Sequence, residues 1–127
     1  MSTEPTVTEN FIKDYIDAWS TEDDSIRQEL VTKVYAEDAD FYADEPGDGP
    51  IEYHGLLDIT DNIAQVNRRL VQSKGLVTES TGFAANHDAL RASWRMLTPD
   101  GNVAMTGMNL LILDTHGKIS QDYIFIG

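Results

Sequence analysis

From Val103 to Leu113 the chain reads Val-Ala-Met-Thr-Gly-Met-Asn-Leu-Leu-Ile-Leu, a stretch that is apolar on both faces of any strand it forms. Alternation puts Val103, Met105, Gly107, Asn109 and Leu111 on one side, and Ala104, Thr106, Met108, Leu110 and Ile112 on the other. A sheet with helices on one face only alternates apolar with polar residues. This strand does not, so it requires cover on both sides, and a second copy of the chain is the expected cover for the outer face. Asp114-Thr-His-Gly117 then turns the chain into a last strand, Lys118–Ile126. The main polar interruption is Asn109. An unpaired buried amide costs about 1–3 kcal/mol, so Asn109 must find a partner in the protein or on a ligand.

The preceding segments read as helices, then strands. Thr6-x-x-Glu9 has the form of a capping box, and Phe11, Ile12, Tyr15, Ile16 and Trp19 follow at helical spacing, predicting a helix to about Ser20. Ser25-x-x-Gln28 offers a second cap for a helix carrying Ile26, Leu30, Val31, Val34 and Tyr35. Asp38–Ala43 reads as a short strand and the Pro- and Gly-rich Asp44–Pro50 as a loop. A third helix after His54-Gly55 carries Ile59, Ile63, Val66 and Leu70 and stops at Lys74-Gly75. Strands near 76–85, 87–97 and 103–113 precede the last one, with turns at Pro99-Asp-Gly101 and Thr115-His-Gly117. The expected class is α+β, with three N-terminal helices packed on a mostly antiparallel sheet.

Composition excludes more than it selects. One domain over 1–127, with 1–5 a flexible lead-in, is the expected organisation. A net charge of −13 with nine scattered Lys and Arg argues against a nucleic-acid partner. No apolar run approaches a membrane span, and a cysteine-free chain without a signal-like start reads as cytoplasmic. His54, His87 and His116 have no metal-ligand partners at suitable spacing, so neither metal nor other cofactor is expected.

Taken in order, Asp17-Ala-Trp19, Tyr35-Ala-Glu-Asp-Ala39, His54-Gly55, His87-Asp-x-x-Arg91-x-x-Trp94, Gly107-Met-Asn109 and Gly117-Lys-Ile119 resemble the NTF2-like superfamily, or cystatin-like cone fold. Within it the chain is most similar to SnoaL-like proteins and ketosteroid isomerases. The resemblance implies a curved sheet around a cone-shaped pocket. It also implies a site in which a carboxylate moves a proton beside a carbonyl while a Tyr and a protonated Asp hold the enolate oxygen. Tyr15 matches that Tyr, and Asn109 stands where the protonated Asp would be, an amide being also a neutral donor. The position of the base falls on Ala43. Asp44 follows it, and Glu45 precedes Pro46. Alternation sides Glu45 with Phe41 and Ala43, and Asp44 with Asp40 and Tyr42, but a bulge brings either inward. Asp44 is the first choice of base and Glu45 the second.

The implied pocket is lined by Trp94, Trp19, Phe41, Met105 and Leu111, with Asp122 a second acid that enters it or pairs with an Arg. Plainer roles stand beside each of these: Tyr15 as a core aromatic, Asn109 bonded to a neighbour, Asp44 and Glu45 solvated. The expected function is proton abstraction next to a carbonyl of an apolar ligand, by an isomerase or polyketide-cyclase-like enzyme. The alternative is a non-catalytic ligand-binding or dimerisation module on the same fold.

Overall fold

The computed structural model describes residues 6–45 and 49–127; the 1–5 lead-in and the side chain of Glu45 lie outside the described residues. Helix α1 spans Val7–Ser20, and the Thr6 side chain accepts from the Glu9 amide at 3.0 Å, satisfying one of the free N–H groups of the first turn. Helix α2 spans Asp24–Val34. Its cap is Asp23, whose carboxylate accepts from the Ile26 amide at 3.0 Å, and not Ser25, which falls within the first turn. Tyr35 leaves the helical stripe to open strand β1, Tyr35–Glu45.

That strand is longer than its sequence suggested. Both ends of the segment read as a loop are strand, with β2 at Gly49–His54 and the pairs Asp44–Pro50 and Glu45–Gly49 continuing the ladder, and residues 46–48 lie outside the described residues. Pro50 is tolerated because β2 is an edge strand and needs no donor on its outer side. Helix α3, Gly55–Val66, therefore follows β2, so two helices and not three precede the sheet. It runs into a π-helical segment, Asn67–Gln72. The meander is β3 Val77–Asn86, β4 Ala89–Leu97, β5 Val103–Leu113 and β6 Ile119–Ile126.

The six strands lie in the order β2-β1-β6-β5-β4-β3, antiparallel except where β1 runs parallel to β6. The register sets Phe41 beside Asp122, Leu111 beside Asp122, Asn109 beside Ile124 and Trp94 beside Gly107. These residues share the inner face. Ile12, Tyr15, Ala18, Val31, Ile59 and Ile63 of the helices pack with Phe41, Leu90, Ala92, Leu111 and Ile119 of the sheet to form the core. The alternate residues point outward: Tyr42 stacks on Tyr123 with ring centroids 4.8 Å apart, beside Leu110, Met108 and the 54% exposed Phe125.

Candidate active site

Between the helices and the inner face of the sheet lies a cavity of about 350 Å³, at the small end of the ~300–1,000 Å³ typical of ligand pockets. Its walls are mostly apolar. Trp19, Phe41, Tyr53, Trp94, Met96 and Met105 carry much of them, with Phe41 bridging Trp19 and Tyr53 at ring-centroid distances of 5.6 and 6.1 Å. Its floor is polar and buried: Tyr15 of α1 and Asn109 of β5 reach the cavity while being only 3% and 2% exposed.

Behind that floor sits Asp122, fully buried on β6. Its Oδ2 accepts from the Tyr15 hydroxyl at 2.7 Å and from the Tyr35 hydroxyl at 2.6 Å, and its Oδ1 accepts from Asn109 Nδ2 at 2.7 Å. Asn109 Oδ1 in turn accepts from Trp94 Nε1 at 2.8 Å. The inner-face register of β4, β5 and β6 makes these three side chains neighbours across the ladder, and α1 lays Tyr15 over them. Burial pushes the Asp122 carboxyl up to about 6, against the three donors, which favour the ionised form. Burial, then the Asp122 charge, hold both phenols well above their ordinary value, so each remains a donor at neutral pH. The Nε1–H of Trp19 is buried without an acceptor; it neighbours the Tyr35 hydroxyl but does not reach hydrogen-bond geometry.

The residues singled out in the sequence fall in three places. Tyr15, Asn109, Trp94, Trp19, Phe41 and Met105 line the cavity, and exposed Asp44 lies on its wall beside the inward Ala43. Leu111 is in the core and does not line the cavity, because it sits one inward position deeper on β5, beside Asp122. Asp122 does not enter the cavity and pairs with no Arg; it is enclosed behind Tyr15 and Asn109. Glu45 contributes a backbone pair to Gly49. Sequence reasoning missed Tyr35 and Tyr53. The signal for Tyr35 was its hydroxyl, which needs a partner once a helical stripe buries it. Among the described residues no group of three His, Cys, Asp or Glu is placed to hold a metal ion, and no helix is long and apolar enough to cross a membrane.

No protein-family model matches the chain, and no curated protein matches it. Solved structures do. A candidate isomerase of the SnoaL-like family from Agrobacterium tumefaciens superposes with a TM-score of 0.78 at 25% identity, covering 93% of this chain and 95% of that one. The chain has the NTF2-like fold. An NTF2-like protein of unknown function from Mesorhizobium loti covers 98% of this chain and 97% of its own at a TM-score of 0.66 and 14% identity. A candidate polyketide cyclase from Sinorhizobium meliloti reaches a TM-score of 0.63 at 17% identity, over 91% of this chain and 94% of its own. In this NTF2-like protein the carboxylate of the polar cluster comes from β6, with an amide, Asn109, between it and Trp94.

Proposed function

We propose that this NTF2-like protein binds an apolar carbonyl compound and promotes proton transfer at the neighbouring carbon, giving isomerisation or an intramolecular cyclisation. One observation carries the reading: a buried carboxyl with a raised pKa stands directly behind the Tyr15 floor of an apolar cavity. When Asp122 holds a proton it donates to the Tyr15 oxygen, which frees the Tyr15 hydrogen for a ligand oxygen. The enolate that forms is thus held by a phenol backed by a carboxylic acid. Asn109 supports this arrangement more than it contacts ligand, since its oxygen and one of its amide hydrogens are already engaged by Trp94 and Asp122. Asp44 on the cavity wall is the base of this scheme, and Glu45 its substitute. The likeness to a candidate isomerase and a candidate polyketide cyclase supports the same class of chemistry.

A binding module without catalysis is the second reading. It is favoured by Ala43 at the inward position of β1 and by the closure of the Asp122 network. Solvent-deuterium incorporation next to the carbonyl of a panel of cyclic enones separates the two, with Asp44→Asn as the control. Exchange that falls by orders of magnitude in the variant supports Asp44 as base. Binding without any exchange removes the catalytic reading. In either case the Tyr42, Tyr123, Leu110, Met108 and Phe125 face supports a homodimer formed through the outer side of the sheet.

A further inference from the structure

The cavity is polar at a second point, away from its floor. Arg69 and Asn62 both line it, and Arg69 is the one Lys or Arg that does so among the described residues. Of the 9 Lys and Arg in the chain, four (Lys13, Arg27, Lys33 and Arg95) pair with a carboxylate. Arg69, an exposed residue at the cavity, makes no ion pair with a described residue, although Asp44 lines the same cavity.

The backbone under Arg69 is built for this position. Asn62, Val66, Arg69 and Leu70 recur at i, i+4, i+7 and i+8, one face of a helix, and line the cavity with Val71 beside them. The last three of these lie in the π segment Asn67–Gln72, whose turn takes one extra residue. Side chains hold that turn open. Fully buried Asn67 donates through Nδ2 to the Trp19 carbonyl at 2.8 Å and accepts from Gln72 Nε2 at 2.8 Å. The Ser73 amide and hydroxyl both donate to the Arg68 carbonyl, at 3.0 and 2.8 Å. The segment is thereby tied to the end of α1, the helix that supplies Tyr15 and Trp19, so Arg69 is positioned relative to the floor.

We infer that the ligand is an apolar carbonyl compound bearing a single carboxylate, with its carbonyl on the Tyr15 floor and its carboxylate on Arg69 and Asn62; this rests on the reading of the floor as an enolate-holding site. The planar fork of a guanidinium matches a carboxylate in two parallel hydrogen bonds, and the Asn62 amide adds a neutral donor. One cation balances one charge. A dianion such as a phosphate monoester is disfavoured by Asp44 in the same cavity and by the net charge of −13.

The test is fluorescence titration of the whole chain with a matched pair of probes, 2-naphthol and 6-hydroxy-2-naphthoic acid, on the wild type, Arg69→Gln and Arg69→Lys. The readout is the ratio of the two affinities. In the wild type the acid binds about tenfold tighter than the naphthol, as a partly solvated charged pair allows. The ratio falls to about one in Arg69→Gln and partly recovers in Arg69→Lys. A naphthol that binds while the acid gains nothing overturns the carboxylate inference and leaves the floor intact. An acid preference that survives Arg69→Gln overturns it as well. If neither probe binds, the floor reading fails, and the inference falls with it.

Discussion

Replacing Asp122 by Asn should stabilise this protein at neutral pH while leaving a neutral donor behind Tyr15. Asn keeps the shape of the side chain. Its amide oxygen can face Asn109 Nδ2 and its NH2 can face the two phenols, which turn to accept, so every bond of the network has a counterpart. What disappears is a buried charge. The carboxyl sits at about 6 in the fold against an ordinary 3.8, chiefly through burial. The native state therefore binds the proton more tightly than the unfolded chain. The stability linked to it is fully present below the unfolded value, is lost as pH rises toward 6, and stays lost above. The loss amounts to on the order of 2–3 kcal/mol between about pH 4 and pH 7.5. Asp122→Asn escapes it. Its advantage over the wild type should be near zero at about pH 4 and should grow to its full size by about pH 7.5. With a urea slope of about 2 kcal/mol/M, that is a midpoint shift of about 1–1.5 M at the higher pH. Urea unfolding followed by tryptophan fluorescence at four pH values measures it, and the difference between the two proteins cancels the titration of the other acids. A difference that stays constant with pH within ~0.5 kcal/mol would refute the claim that Asp122 is the raised carboxyl. The same variant keeps a neutral donor behind Tyr15, so deuterium exchange should survive and lose the dependence on pH that titration of Asp122 imposes on it.

Gly107→Ala places a methyl 2.5 Å from Trp94 Cζ2 and 2.8 Å from the Phe125 carbonyl oxygen. It should destabilise by about 2–3 kcal/mol through overpacking and a displaced Trp94–Asn109 bond; an equal penalty in a Trp94→Phe background would exonerate the indole. Tyr35→Phe removes a 2.6 Å bond to Asp122 Oδ2. The Asp122 carboxyl should then titrate higher still, read by carboxyl-carbon NMR, at a stability loss of about 1–2 kcal/mol. Tyr15→Phe should weaken 2-naphthol binding by about tenfold or more while keeping the ring, and equal affinity would remove the phenol from the floor. For the outer face, the wild type should elute at twice its 14.2 kDa chain mass. Leu110→Glu should return it to one, and a wild type already at one mass rules the dimer out.

Local rules carry far in this chain. Hydrophobic period, the Thr6 cap, and the turns at Gly101 and Gly117 were enough to place α1, the body of α3 and the four strands of the meander, because each depends on residues within a few positions. Where a local signal competed with a tertiary one, the tertiary one prevailed. Pro46, Gly47, Gly49 and Pro50 read as a loop, yet cross-strand pairing carries β1 to Glu45 and restarts at Gly49. The π turn under Arg69 was invisible for the same reason: Asn67 stabilises it by reaching the Trp19 carbonyl, 48 residues away in sequence. Asn109 announced itself as a buried amide in need of a partner. That the partners would be Trp94 on one side and Asp122 on the other was decided by strand register. Register is a relation between segments, and it made a β6 acid, and not the absent β1 acid, the carboxylate behind the floor. The sequence alone determined which residues had to be buried; only the fold decided which of them meet, since a hydrogen bond between residues 15 and 122 exists only once α1 lies across the sheet.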